Sequence, residues 1–302
     1  MQKHLIVICG PTGIGKTRIA VEVAQFFKTI IISADSRQIY KEMSIGTAVP
    51  STNDLLAVKH EFIQTRSIHE YYNASMFEAE VIETINNHYN LLDLIVMTGG
   101  SGLYIDAVCN GIDDLPAIDP AIRARWSEVY NEEGLEFLRI TVKRIDPEYF
   151  EIADLNNQKR LLKAIEIYEM TGKPYSSFLI HSKKDRPFSI LKIGLNTERE
   201  ELYRRINQRV DKMMEAGLLE EAMKLYPFRG LTTLNTIGYK ELFDCIDGKL
   251  SIEKAVEQIR DHSRAYARRQ LTWFRKDKSI QWFEPEDVQS IIYYIRKLTK
   301  EK

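Results

Sequence analysis

Residues Gly10-Pro11-Thr12-Gly13-Ile14-Gly15-Lys16-Thr17 match the pattern G-x-x-x-x-G-K-[ST] at every fixed position. An apolar run, Leu5 to Cys9, leads directly into them. A helical spacing of apolar residues, Ile19-Ala20, Val23-Ala24 and Phe27, follows directly. A strand, a glycine loop and a helix in that order constrain the fold strongly: they read as the opening βα unit of a parallel sheet. The glycines let backbone N–H groups turn inward around a phosphate, and the helix N-terminus adds the positive end of its dipole. Lys16 supplies a mobile positive charge and Thr17 a hydroxyl suited to Mg²⁺. The plainer alternative is a glycine-rich turn that merely starts a helix, and the flanking strand and helix weigh against it. The expected ligand of Gly10 to Thr17 is a polyphosphate or a diphosphate ester.

The first ~110 residues alternate between strand-like and helix-like runs, the signature of a parallel sheet. Thr29 to Ile32 is a short β-branched run, Ser75 to Tyr89 carries helical periodicity, and Leu91 to Met97 is another strand candidate ending at Thr98-Gly99-Gly100. The character changes after Gly111. Asp119-Pro120 is a helix-start signal, and charged helical segments continue to about Ser189. Ile190 to Leu195 then reads as a returning core strand, and a short final strand is expected at Ile280 to Phe283. The expected fold class is α/β: a P-loop NTPase-like core formed by 1–112 and 190–302, a mostly helical insertion at 113–189, and a helical C-terminal region.

Composition sets limits on function. The formal net charge is −1, so no global field draws nucleic acid, and any RNA contact must use local basic patches. Cys9, Cys109 and Cys245 are far apart and odd in number, which suggests neither a zinc pattern nor a disulfide framework and fits a reducing cytoplasm. The early first strand leaves no room for a signal peptide, and no apolar run approaches a membrane span. The expected assembly is a monomer.

The glycine loop alone does not name a reaction. Hydrolysing enzymes with this loop usually carry an apolar strand ending in a Mg²⁺-holding Asp. Here Leu94-Ile95-Val96-Met97 ends in Thr98-Gly99-Gly100, and no guanine-reading Asn-Lys-x-Asp is present. A motor ATPase or a GTPase switch is therefore disfavoured. The second strand ends in Ser33-Ala34-Asp35-Ser36-Arg37-Gln38-Ile39-Tyr40. Strand ends in a parallel sheet converge on one crevice, so Asp35 sits where a general base could reach a substrate. The same Asp could equally be a helix cap.

Taken together, these segments resemble the tRNA dimethylallyltransferases, also called tRNA isopentenyltransferases. The resemblance rests on GPTGIGKT, on ISADSRQIY, on Ile45-Gly46-Thr47-Ala48 and on Thr98-Gly99-Gly100-Ser101-Gly102-Leu103-Tyr104. It continues through Asp119 to Arg123, the helix Asn156 to Glu166, Gly172-Lys173, Arg205 to Met214, Asn235 to Glu241 and Arg269 to Phe274, in family order over nearly the whole chain. There are two departures. Ser101 stands where the family commonly has Thr, and Gly13-Ile14 where it often has Ala-Ser. The first keeps a hydroxyl, and the second changes only residues that contribute backbone N–H groups.

The resemblance implies transfer of a dimethylallyl group from its diphosphate to N6 of the adenine just 3′ of the anticodon, with Mg²⁺ as cofactor. It implies Asp35 as the base, Ser101 near the diphosphate or reacting centre, and Arg209 assisting the diphosphate. Arg205 lies one turn earlier on the same face. Without the resemblance both arginines would read as a solvated helix face. It also implies contact of Asp35, Ser36, Arg37, Gln38, Ser101, Arg123 and the stretch Lys159-Arg160-Leu161-Leu162-Lys163 with the tRNA anticodon stem-loop. Periodicity places Leu161, Ile165 and Tyr168 in a core stripe and leaves Lys159, Arg160 and Lys163 outward. Arg260, Arg264, Arg268 and Arg275 form a near-helical stripe that suits either an RNA backbone or ordinary ion pairs. Trp273 and Trp282 read as core anchors. The alternatives to this reading are a P-loop nucleotide kinase and a non-catalytic, nucleotide-dependent RNA-binding protein. ATP would fit the same loop, although the resemblance favours dimethylallyl diphosphate.

Overall fold

The run Leu5 to Cys9 is apolar at every position because the strand it forms is covered on both faces. The structure, a computed structural model, describes residues 2–113, 115–116, 118–179 and 183–300. Strands β1 (His4–Cys9), β2 (Ile31–Ser33), β3 (His60–Glu61), β4 (Leu94–Gly99), β5 (Ser189–Leu195) and β6 (Gln281–Phe283) form one sheet in the order β3-β2-β4-β1-β5-β6. Every pairing is parallel, with Cys9 level with Gly99 on one side and Gly194 on the other. The two-residue strand β3 has no strong apolar signal and is visible only through its pairing with β2.

Alternate residues of β1 enter different cores, as a period of two requires. Leu5, Val7 and Cys9 join Ile32, Ile95 and Met97 on one face, packed by α3 (Ala74–His88) and α4 (Gly102–Asn110) through Phe77, Val81, Ile85, Ile105 and Val108. Ile6 and Ile8 join Ile31 and Val96 on the other face. There they meet α1 (Lys16–Phe27), α8 (Arg199–Glu215) and α12 (Val288–Lys300) through Ile19, Val23, Ile206 and Ile291. The remaining helices are α2 (Thr52–Ala57), α5 (Pro120–Ile145), α6 (Pro147–Ile152), α7 (Gln158–Thr171), α9 (Leu218–Leu225), α10 (Tyr239–Ile246) and α11 (Ile252–Phe274).

The chain divides into two compact units, one of Met1–Asn110 with Asp185–Lys302 and one of Gly111–Lys184. The second unit is helical. Asp119 caps α5 by accepting from the Ala121 N–H, with Pro120 in the first turn. Gly134 breaks the helical backbone of α5 at φ 77°. The core of this unit gathers Leu138, Val142, Tyr149, Leu161, Ala164 and Ile165. Among the described residues no helix is long and apolar enough to cross a membrane.

Within the first unit, α8 and α11 lie side by side in a fixed register. Arg260 pairs with Asp211, Arg264 Nη1 donates to Asn207 Oδ1 at 2.6 Å, and Arg268 Nη1 donates to the Tyr203 hydroxyl at 2.8 Å. Three of the four arginines in the stripe are therefore tied to a neighbouring helix. Trp282 packs against the core, but Trp273 does not meet the expectation of a core anchor, being 41% exposed. Its indole N–H donates to Asp106 at 2.9 Å, and this polar tether holds the ring at the surface.

Candidate active site

The phosphate loop follows β1 at the C-terminal edge of the sheet. Gly13 and Gly15 take φ values of 81° and 99°, which a residue with a Cβ adopts only with strain. The N–H groups of Gly13, Gly15, Lys16 and Thr17 have no partner among the described residues, as the open start of a helix leaves them. The Thr12 N–H is committed: it donates to Gln270 Oε1 at 2.8 Å, while Gln270 Nε2 donates to the Gly100 carbonyl at 2.8 Å. Gln270 is only 6% exposed and joins the loop to the turn after β4. In the sequence Gln270 falls within the Arg269 to Phe274 segment with no role of its own assigned. Its signal was a polar residue in an apolar helical phase of α11.

A cavity of about 240 Å³ is lined by the loop, by Lys16, Thr17, Asp35 and Gln38, and by Thr98 to Gly100 and Arg209. A second cavity of about 450 Å³ continues from it, and the two share Thr12, Asp35, Arg209 and Tyr266. Ser36 and Arg37 line the larger one, whose apolar lining includes Ile206, Val210, Met213 and Leu218. Lys16 Nζ donates to the Pro11 carbonyl at 2.8 Å. Burial first and then the Arg209 charge lower its pKa, with Asp35 working against both, to about 8. Burial also depresses the Arg209 guanidinium, opposed by Asp35. Two partly desolvated cations beside four free N–H donors form a site for a polyanion.

Asp35 adopts the capping geometry that was one of its two sequence readings, and it also borders both cavities. Its Oδ1 accepts from the N–H groups of Arg37 at 2.9 Å and Gln38 at 3.3 Å, as a capping carboxylate does. Its Oδ2 makes no hydrogen bond among the described residues, and the side chain borders both cavities. The turn thus orients one oxygen and leaves the other unbonded where the two cavities meet. Ser101 lines neither cavity. Its Oγ accepts from the Ser36 N–H at 3.0 Å and donates to Ser36 Oγ at 3.2 Å, so it braces the strand-end segment from behind. Gln38 spends its amide on the Thr47 and Ala48 carbonyls at 3.2 and 2.9 Å. Tyr266, missed from sequence, stands beside Asp35 and Ser101. Burial and then the Asp35 charge raise its phenol to about 12.

Thr17 borders the smaller cavity, and its hydroxyl makes no hydrogen bond among the described residues. With the Asp35 carboxylate in the same cavity, the donors are hard oxygens of the kind Mg²⁺ takes. Thr98, at the end of β4, donates its hydroxyl to the Ile8 carbonyl at 3.0 Å and is committed to the sheet. Arg205 touches the phosphate loop from outside, its Nη1 donating to the Ile14 carbonyl at 3.5 Å, but it lines neither cavity as Arg209 does. It pairs with Glu201 at 2.6 Å and with Glu286.

In the helical unit, Arg123 makes a two-pronged contact with Glu166, at 3.4 and 3.3 Å. Lys159 and Arg160 are exposed. Lys163 is not outward as expected: it is partly buried, and burial and the Arg123 charge lower its pKa. Leu161 is fully buried, so its side chain offers no surface to a partner, and Leu162 packs partly against the same core.

The fold and the loop define a P-loop α/β protein with a carboxylate beside the loop. Comparison with known proteins narrows this class. The family model for IPP transferase matches residues 38–277, and the chain belongs to this family. It is 48% identical over 298 residues to a tRNA dimethylallyltransferase 1 of Phocaeicola vulgatus, covering 99% of each chain. It is 49% identical over 296 residues to a tRNA dimethylallyltransferase of Christiangramia forsetii, covering 98% of each. Among solved structures, the tRNA isopentenylpyrophosphate transferase of Bacillus halodurans superposes with a TM-score of 0.71 at 34% identity, over 100% of this chain and 98% of that one. A eukaryotic dimethylallyltransferase shares the fold at a TM-score of 0.80 and 24% identity, over 98% of this chain and 77% of that one.

Proposed function

We propose that this chain is a tRNA prenyltransferase that moves a dimethylallyl group from dimethylallyl diphosphate to N6 of the adenine immediately 3′ of the anticodon. The observation that carries this reading is the placement of Asp35 where a phosphate-binding cavity meets a larger, partly apolar one. The diphosphate lies in the smaller cavity, against the free N–H groups, Lys16 and Arg209. The adenine is extruded from its loop into the larger cavity. The N6 lone pair attacks C1 of the dimethylallyl group as the C1–O bond breaks, and the diphosphate leaves with the bonding electrons. The N6 proton passes to Asp35 Oδ2, which helps because the amine lone pair is delocalised into the ring. Lys16, Arg209 and the loop amides meet the charge that grows on the leaving oxygen, in place before it develops. The Thr17 hydroxyl would hold Mg²⁺, which would supply further charge neutralisation when bound.

Lys159, Arg160 and Arg123 offer cations to the RNA backbone from the helical unit, and Ser36 and Arg37 offer contacts at the cavity wall. The working protein is a cytoplasmic monomer. The test is to incubate the protein and Mg²⁺ with anticodon stem-loop RNA and dimethylallyl diphosphate, then weigh the RNA. The expected result is a gain of one prenyl unit per RNA. ATP in place of the prenyl donor leaves the RNA mass unchanged, whereas a phosphoryl gain or an unmodified complex would overturn the reading.

A further inference from the structure

The carboxylate of Glu221 lies outside every motif that defines the family resemblance, yet it carries an unusual load. Its two oxygens accept three consecutive backbone N–H groups. Ser44 donates to Oε2 at 3.1 Å, Ile45 to both oxygens at 3.1 and 2.9 Å, and Gly46 to Oε1 at 3.0 Å. The hydroxyl of Tyr239 donates to Oε1 at 2.6 Å. Tyr239 is fully buried at the first turn of α10. Its ring lies so close to Gly46 that a Cβ there would meet ring atoms at 2.6 Å. One charged group on α9 therefore docks the 44–48 loop onto the start of α10.

Both docked segments wall the larger cavity. Gly46 and Thr47 line it from the loop, and Ile237, Gly238 and Lys240 line it beside Tyr239. Glu221 itself does not line either cavity. The smaller cavity has its own brace, because Gln38 holds the Thr47 and Ala48 carbonyls independently of Glu221. A carboxylate accepting successive backbone N–H groups, with an aromatic hydroxyl as a further donor, fixes both walls without flexible joints.

We infer that Glu221 is a positioning residue for transfer: acting through Gly46 and Tyr239, it sets the width of the cavity that receives the acceptor base, and leaves the diphosphate site alone. This rests on the prenyl-transfer reading above. Glu221→Gln is the informative change. A carboxamide keeps one accepting oxygen but turns N–H donors toward N–H donors, so the loop shifts away. Displacing a wall by about 1 Å costs up to about 10²-fold in rate. The Tyr239→Phe change removes one hydrogen bond and keeps the ring and all the amide contacts, with an expected loss of about 2- to 10-fold.

The experiment measures kcat, the KM for anticodon stem-loop RNA, and the calorimetric Kd for dimethylallyl diphosphate in parent, E221Q and Y239F. The expected result is a lower kcat and higher RNA KM in both variants, larger in E221Q, with the diphosphate Kd within about twofold of the parent. General misfolding would not give that split, because it would weaken diphosphate binding in parallel. Unchanged kcat and RNA KM in Y239F would overturn the inference, as would a loss of diphosphate binding in E221Q that matches its loss of turnover. A parent protein that adds no prenyl unit to RNA would instead overturn the activity on which the inference rests.

Discussion

The shifted lysine of the phosphate loop makes a quantitative prediction. Lys16 releases its proton at about pH 8 in the ligand-free protein, against 10.5 for an ordinary lysine, because it is desolvated and sits beside Arg209. A diphosphate selects the protonated form. With a pKa of 8, about nine tenths of the lysine is charged at pH 7 and about one tenth at pH 9. Affinity for dimethylallyl diphosphate should therefore fall about tenfold between those values, while the charge of the ligand itself is nearly constant above about pH 7.5. Binding at pH 8 should take up about half a proton. Calorimetry without RNA, in two buffers of different ionisation enthalpy, measures both quantities. The Lys16→Arg variant keeps its charge throughout, so its Kd, whatever its absolute value, should be flat over the range. The sign for stability follows from the same shift. An unfolded chain holds this proton up to about 10.5 and the folded one only to about 8, so between those values the unfolded state binds more protons and the ligand-free protein gains stability from this group as pH rises. A parent Kd that is flat from pH 7 to 9, with no proton uptake at pH 8, would refute the reasoning.

The other predictions concern separate parts of the site. Asp35→Ala should slow single-turnover transfer by about 10²–10⁴-fold with little change in diphosphate Kd, and a near-parental rate would remove Asp35 from the proton transfer. Thr17→Ala should raise the Mg²⁺ concentration needed for half-maximal rate, and an identical Mg²⁺ titration would remove Thr17 from the metal site. Replacing Lys159 and Arg160 together by Ala should lower the log–log salt slope of RNA binding by about one to two units, whereas adding Lys163→Ala, a partly buried side chain, should change the slope no further. Gln270→Met leaves the Thr12 N–H and the Gly100 carbonyl unpaired and should destabilise the fold by about 1–3 kcal/mol in urea denaturation, with a matching midpoint refuting the clamp.

Much of the core was legible because it is local. β1, the glycine loop and α1 form from one continuous stretch, and both faces of β1 are buried, so its apolar run is unbroken. Asp35 could be placed because a strand end in a parallel sheet has a fixed address. The rest depends on contacts between distant segments. Gln270 reaches Thr12 across 258 positions, and Glu221 reaches Gly46 across 175, and the periodicity of a helix does not name so distant a partner. Trp273 was misjudged because an apolar ring is normally buried, and its tether to Asp106 lies on another helix. Lys163 was placed outward because periodicity gives a helix face without showing which charges the neighbouring helix brings to it.

The register of α8 against α11 has a consequence for how this family can vary. The three pairs 260–211, 264–207 and 268–203 step four residues at a time in opposite directions, so the two helices mesh like racks. One residue inserted between Tyr203 and Asp211 would turn the following part of α8 by about 100° and misalign every pair beyond it. It would also swing Arg209 away from the phosphate loop. Length changes among relatives should therefore be excluded from 203–211 and 260–268 and collect in the connection between the helices, where an added residue shifts no tooth of the rack.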